Sequence, residues 1–350
     1  MSHRVAVIGS GIIGLSTAVC IARSIPDVSV TVISDRPWQE TTSYGAGGLW
    51  MPYSLGDAQD PELVKKWGKI THEHLERELQ SRDAGKKGVF PVTGHEFFKE
   101  GPDAHPDPPW RDVVSRFAHA TPRELYQFHP HEFKHGWVFS TIICEPRRYL
   151  PCLEEEILAR GGGFVRKRVG DIYRDLGQAY DLVVNCTGLG ARDLVGDQAI
   201  APVQGQVLRV NAPEIKHYYG FDDTTYVIPN TDTVVLGGST DRVAPDTVNA
   251  ATDDELSRDI LDRCSAYLPS LTAVDLASSS VEKWSGLRPV REAIRLELEE
   301  PPPATSDGNE TAVPVVHNYG HGGSGFTLFW GCAAEAANLV RKQLNRAADG

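Results

Sequence analysis

The sequence lacks any apolar run approaching the roughly 20 residues of a membrane-spanning helix, so no membrane association is expected. Positive charge is in deficit. Against 47 Asp and Glu stand 35 Lys and Arg, leaving a net charge of -12. That argues against a nucleic-acid partner, and any anionic substrate must be drawn in by local cations rather than by the overall field. Cysteines are few. Cys20, Cys144, Cys152, Cys186, Cys264 and Cys332 are scattered without a C-x-x-C pair, as expected for buried reduced thiols in an intracellular protein. The apolar start of the chain is broken by glycines and followed by no cleavage-like site, so no secretory signal is expected. His129, His131 and His135 lack a helical i, i+4 pair, and no metal site is expected.

With 41% hydrophobic and 23% charged residues, the composition is that of an ordinary globular chain, and 350 residues suffice for one or two domains. An apolar run, Val5 to Ile8, ends in Gly9-x-Gly11-x-x-Gly14. A second, residues 29–33, ends in Ser34-Asp35. This is the order of a dinucleotide-binding βαβ unit. Gly9 permits the turn, Gly11 lets a pyrophosphate approach a helix N-terminus, and Gly14 lets the helix sit against the sheet. Asp35 is spaced to accept hydrogen bonds from ribose hydroxyls. The motif does not say which dinucleotide binds.

Residues 41–49 (Thr-Thr-Ser-Tyr-Gly-Ala-Gly-Gly-Leu) are too glycine-rich for an ordinary helix and suit close backbone approach to a ligand. A helix is predicted over 60–82, with Leu63, Trp67, Ile70, His74 and Leu75 on one face. Residues 101–110 hold four prolines and read as a loop, and Thr121-Pro-Arg-Glu124 reads as a capped helix start. A helix over 148–160 and a strand over 163–168 follow. The apolar run 181–188 reads as a further strand that delivers Thr187 and Gly188 to the ligand-binding edge of the sheet. Short β-rich runs at 206–210, 225–228, 233–236 and 294–298 suggest a mixed or antiparallel second domain. After a solvated loop at 299–309 come a strand at 313–316, a second glycine cluster at 320–325 and a final helix over 327–346. The expected fold is α/β. A Rossmann-like nucleotide domain (1–50, 140–195, 310–346) is built from both chain ends, with an inserted β-rich α+β substrate domain (51–139, 196–309).

The second glycine cluster, Gly320-His-Gly-Gly-Ser-Gly325, opens a helix and so exposes free N–H groups and a positive dipole end. It suits a flavin ring, or else serves packing alone. Arg288, in Gly286-Leu-Arg-Pro-Val-Arg291, is a candidate carboxylate clamp, with a structural ion pair as the alternative. Tyr226 either packs in a core or aims its hydroxyl into a cavity. His321 is a catalytic base or, preferably, a hydrogen-bonding loop histidine.

The run from Val316 to Ala333 (Val-His-Asn-Tyr-Gly-His-Gly-Gly-Ser-Gly-Phe-Thr-Leu-Phe-Trp-Gly-Cys-Ala) resembles the C-terminal signature of the D-amino-acid oxidase and D-aspartate oxidase family. So do the segments 10–17, 41–53, 183–188 and 286–291, in order along the chain. The resemblance implies non-covalent FAD. Its pyrophosphate would lie at Gly9, Gly11, Ile12, Ile13 and Gly14, with Asp35, Arg36, Thr41, Thr42 and Ser43 on ribose and phosphate. Val169 would contact the adenine side, and Thr187 and Gly188 the sheet edge. Gly47, Gly48 and Leu49 would lie near the flavin ring, and Gly322, Gly323, Gly325, Phe326 and Thr327 at its pyrimidine end. By the same resemblance Arg288 pairs with the substrate α-carboxylate, supported by the Tyr226 hydroxyl. The Gly323 carbonyl receives the α-amino group, and Met51, Tyr53 and Ser324 border the substrate pocket. The α-hydrogen would leave as hydride from the neutral amine, with no side-chain base. Oxygen would take the electrons to give hydrogen peroxide, with a 2-oxo acid and ammonia as the other products.

The chain also departs from the family. The segment 217–225 is short where relatives carry a lid with a second tyrosine, leaving Tyr218 or Tyr219 as substitutes. Where D-aspartate oxidases are expected to hold a second carboxylate with arginines and a histidine, this chain has Gly220, Thr240 and Tyr53, with Arg242 near enough in sequence to compensate. An uncompensated carboxylate in such a site costs several kcal/mol. Neutral or aromatic D-amino acids are therefore favoured over acidic ones, although 188–192 and 205–208 look closer to the aspartate branch. The expected partners are a D-amino acid and oxygen, with homo-oligomerisation left open. The alternatives are an NAD-dependent dehydrogenase and a non-catalytic flavoprotein. The resemblance implies a peroxisomal setting, but Ala348-Asp349-Gly350 is no Ser-Lys-Leu address, which leaves the cytoplasm as the alternative.

Overall fold

A computed structural model describes residues 3–53, 55–56, 58–128, 132–300 and 313–349, the last three by their backbone alone. His129, His131 and most of the 299–309 loop lie outside the described residues.

The chain opens as the glycine motif requires. The strand His3–Ile8 pairs in parallel with Val28–Ser34 on one side and with Leu182–Asn185 on the other. Gly163–Arg166 extends this group beyond Val28–Ser34, and Val315–His321 extends it beyond Leu182–Asn185, all in parallel. Both faces of such a sheet are covered, so its strands read as continuous apolar runs. Between the first two strands runs the helix Ile12–Ser24, whose nine buried residues include Leu15, Ala18, Val19 and Ile21. It is apolar on most sides because it lies between the sheet and the long helix Gly325–Asp349. A Cβ on Gly14 would overlap the Gly9 carbonyl, so only glycine lets this helix leave the strand so tightly.

The helix Pro61–Leu79 starts where its sequence signals put it. Asp60 accepts from the Glu62 amide, and proline occupies the first turn. It packs on Gly325–Asp349, where the His74 ring stacks on Trp330 at 3.5 Å. The start at Thr121 is a reciprocal capping box. The Thr121 amide donates to Glu124 Oε2 (2.7 Å), and the Glu124 amide donates to Thr121 Oγ1 (3.3 Å).

Three elements differ from expectation. Residues 41–49 include a single helical turn, Thr42–Gly45, before the chain extends past the glycines. The expected short strand at 294–298 is the end of an 18-residue strand, Glu282–Glu299, whose register shifts between Val290 and Arg295. Proline does not stop this strand, because Pro289 faces Pro202 across the ladder and no N–H is called for there. The β-rich middle is not a separate sheet. Glu282–Glu299 pairs with Val315–His321 along one stretch and with Ala201–Val210 along another. One continuous sheet results, running from the parallel group through Ala201–Val210, Val234–Gly237, Thr225–Pro229 and Tyr218–Phe221 to Val89–Phe98. In place of a lid, residues 222–224 close a tight hairpin with Asp222 and Asp223 at φ of 55° and 57°.

Candidate active site

Both glycine turns open onto one cavity of about 1160 Å³. The C-terminal ends of the parallel strands form one end of it, which is where open α/β sheets bind ligands. Gly9, Gly11, Ile12 and Ile13 line this end. Gly11 caps the helix without a side chain, and the Ile12 amide takes Ser43 Oγ at 3.0 Å. Asp35 and Arg36 lie on the rim as an exposed ion pair of 3.4 Å. Thr41, Thr42, Val169, Thr187 and Gly188 complete this end. The Thr42 hydroxyl donates to the Leu287 carbonyl (2.8 Å), and the Thr187 hydroxyl to Asn185 Oδ1 (2.7 Å).

Gly47, Gly48 and Leu49 line the middle, opposite Gly322, Gly323, Gly325 and Phe326. The Gly322 amide donates to the Pro289 carbonyl at 3.0 Å, fixing the second glycine turn to the strand that carries Arg288. Two buried polar atoms on this wall, Asn318 Oδ1 and His321 Nε2, have no hydrogen-bond partner among the described residues. Full burial pushes the His321 pKa down to about 3, so its ring is neutral. An extended polar cofactor fits such a wall, since it brings the missing partners.

Three expected residues stand off the cavity lining. Ser324 and Thr327 are buried behind the cavity surface, with their hydroxyls already engaged. Ser324 Oγ accepts from the Tyr53 amide (2.8 Å) and donates to the Tyr53 carbonyl (2.7 Å). Thr327 Oγ1 does the same for Met51, at 3.3 and 2.7 Å. They brace the segment 51–53. Gly14 also lies off the cavity, packed under Gly9.

At the far end Arg288, Tyr226, Met51 and Tyr53 come together. The Arg288 guanidinium lies over Gly205 and donates to the backbone carbonyls of Ser239 (2.9 Å) and Gln204 (3.4 Å). No carboxylate pairs with it among the described residues. Arg291 is different, forming the structural ion pair with Asp197 at 2.9 Å. The Tyr226 ring lies over Gly237 and Gly238. Burial raises the pKa of its hydroxyl, opposed by the charge of the neighbouring Arg288. Arg242 is exposed on Asp241–Arg242 and is not among the residues that line the cavity. Thr240 is likewise exposed and outside.

Sequence reading missed Glu96, Trp284 and Arg209. Glu96 lines the far wall, and its carboxylate accepts a short hydrogen bond from the Tyr218 hydroxyl. Its signal was an acid on the apolar face of a strand, in alternation with Val92 and Gly94. The Trp284 ring covers Gly45 and Gly286. Buried Arg209 grips the backbone of the first glycine-rich segment from beneath.

Over residues 4–339 the chain matches the family described as FAD dependent oxidoreductase. The chain belongs to this family. Among its relatives, human D-aspartate oxidase is 41% identical over 96% of this chain and 94% of its own length. A D-amino-acid oxidase of Rubrobacter xylanophilus is 35% identical over 98% and 97%. Iminodiacetate oxidase from Chelativorans sp. BNC1 shares the fold, with a TM-score of 0.75 at 16% identity, covering 97% of this chain and 95% of that one. Glycine oxidase from Bacillus cereus does so at 0.72 and 20%, covering 98% and 96%. The chain is an FAD-dependent oxidoreductase, and FAD is its cofactor.

Proposed function

We propose that this FAD-dependent oxidoreductase oxidises D-amino acids, with neutral or aromatic side chains preferred over acidic ones. The observation that carries this reading is Arg288. It is a half-buried guanidinium lining the cavity without a carboxylate partner, beside the Tyr226 hydroxyl. A substrate α-carboxylate supplies that partner in the bidentate geometry arginine favours. The Tyr226 hydroxyl donates to the same carboxylate, and the Gly323 carbonyl accepts from the α-amino group.

Bound non-covalently, FAD would supply a two-electron acceptor for the hydride from Cα with oxygen as the final acceptor, yielding hydrogen peroxide and an imino acid that water hydrolyses to a 2-oxo acid and ammonia. Its pyrophosphate would rest on Gly9, Gly11, Ile12 and Ile13. Asp35, Arg36, Thr41, Thr42 and Ser43 would hold the ribose and phosphate side, and Val169, Thr187 and Gly188 the sheet edge. Gly47, Gly48, Leu49, Gly322, Gly323, Gly325 and Phe326 would enclose the ring. The chain's own contribution to rate is orientation, since Arg288 and Tyr226 fix which hydrogen faces the ring. No side-chain base is needed for hydride transfer from the neutral amine.

Side-chain preference follows from the far wall. Gly220 offers no cation, and Arg242 is exposed and off the cavity lining. The 41% identity to a D-aspartate oxidase favours the acidic alternative. A peroxide assay across D-alanine, D-phenylalanine, D-aspartate and D-glutamate, with L-enantiomers as controls, separates the two. Activity confined to the acidic pair reverses the preference. Arg288→Ala should raise KM by roughly 100-fold while the 450 nm flavin band stays with the protein.

A further inference from the structure

The far wall is built by three strands in lateral register. Glu96 on Val89–Phe98 stands opposite Gly220 on Tyr218–Phe221, and Gly220 stands opposite Tyr226 on Thr225–Pro229. On Val234–Gly237, Gly237 stands opposite Tyr226 in turn. Residues opposite one another on adjacent strands project from one face of a sheet. Glu96 and Tyr226 therefore rise from the same face with a glycine between them.

Each side chain lies over a neighbouring glycine. A Cβ at position 220 would overlap the Glu96 carboxylate, and one at 237 would overlap the Tyr226 ring. The carboxylate over Gly220 and the phenol over Gly237 are thus two strand spacings apart, about 10 Å. The four-carbon stem of a lysine side chain, or the arm of an arginine, spans that interval when its α-carboxylate is held at Tyr226 and Arg288.

Glu96 is 5% exposed. One oxygen accepts from the Tyr218 hydroxyl, the other takes no hydrogen bond, and no lysine or arginine pairs with it among the described residues. A carboxyl group in that position is poorly compensated until a cation arrives. Its neighbours in the cavity add no positive charge on this side. Asp223 at the mouth is acidic, and Tyr53 and Tyr218 are neutral.

We propose that Glu96 is the residue that selects the substrate side chain, and that it selects D-amino acids ending in an ammonium or guanidinium group, which docks on its carboxylate above Gly220. This rests on Arg288 holding the α-carboxylate. The selection extends the preference for uncharged side chains to cationic ones, which keep the apolar stem along Met51 and the tyrosines and gain an ion pair at the tip.

The test compares D-lysine with D-norleucine, which keeps the stem and lacks the ammonium, in the FAD-loaded protein by peroxide release. D-arginine, D-glutamate and the L-enantiomers run alongside. The expected result is a kcat/KM for D-lysine about 10- to 100-fold above that for D-norleucine. Glu96→Gln should collapse the ratio towards one, chiefly through KM. If that variant fails to hold FAD, the ratio in the unaltered protein decides, and it should rise with pH as Glu96 ionises. Oxidation of D-norleucine with no gain for D-lysine overturns the assignment of Glu96 alone. No oxidation of any D-amino acid by flavin-loaded protein overturns the oxidase reading and this inference with it.

Discussion

Arg209 donates through Nη1 to Asn230 Oδ1 at 2.7 Å, and the two side chains together hold three consecutive backbone carbonyls. Arg209 Nη2 reaches the oxygens of Gly45 (3.1 Å) and Ala46 (2.8 Å), and Asn230 Nδ2 reaches that of Gly47 (3.0 Å). Burial lowers the Arg209 pKa to about 10. A buried guanidinium costs free energy that only good hydrogen bonds offset. Here those bonds shape the segment that borders the cofactor cavity. Arg209→Met should lower stability by about 2 to 3 kcal/mol and weaken FAD binding by roughly tenfold. Flavin titration of the apoprotein measures the second effect. An unchanged Kd would mean that the carbonyl grip serves folding only.

The pH dependence of stability has two arms of opposite sign. Burial pushes the pKa of His321 from 6.5 to about 3 and that of His74 to about 2. The unfolded chain takes up protons below 6.5 that the folded one refuses, so stability is lost as pH falls from 6.5 towards 3. Burial pushes Glu96 the other way, from 4.5 to about 8, opposed by the Tyr218 hydrogen bond. Its contribution is full below 4.5 and is lost as pH rises through 8. The Tm of Glu96→Gln minus that of the unaltered protein should therefore grow between pH 4.5 and 8 and then level. A flat difference over that range in differential scanning fluorimetry would show that Glu96 is not buried as described.

Gly220→Ala places a methyl group where the Glu96 carboxylate lies. The carboxylate must swing away, so kcat/KM should fall further for D-lysine than for D-alanine, by roughly tenfold between the two. An equal loss on both substrates would remove Glu96 from side-chain recognition.

Thr327→Val removes both hydrogen bonds to Met51 at little change in volume, whereas Thr327→Ser keeps them. The valine variant should lose about 1 to 3 kcal/mol of stability and raise KM, with the serine variant near the parent in Michaelis kinetics. Matching kinetics in the two variants would show that the hydroxyl bracing leaves the pocket wall untouched.

Much of the nucleotide half was legible because its signals are local. A strand, Gly9-x-Gly11-x-x-Gly14 and Asp35 lie within one βαβ unit, and turn chemistry at Thr121 or Asp60 is settled by four residues. Arg288 was also reachable, since a cation beside a proline is unusual enough to question. Glu96 was not. Its meaning depends on Gly220 and Tyr226 lying beside it, and that register joins segments more than a hundred residues apart. Arg242 is close to Thr240 in sequence, but both are exposed and lie off the cavity lining, which spacing along the chain does not reveal. Ser324 and Thr327 lie off the cavity lining because their hydroxyls hold the backbone of Tyr53 and Met51, a use that a hydroxyl next to a glycine turn does not reveal in sequence.

The strand Glu282–Glu299 belongs to both halves of the sheet, and this bears on how the molecule can breathe. Parting the halves like covers of a book would break a ladder of backbone hydrogen bonds on one side of that strand or the other. The two halves therefore form one frame, and the surface segment at 245–250, outside every strand and helix and with Val248 76% exposed, is a part of the cavity border that can shift without breaking that ladder.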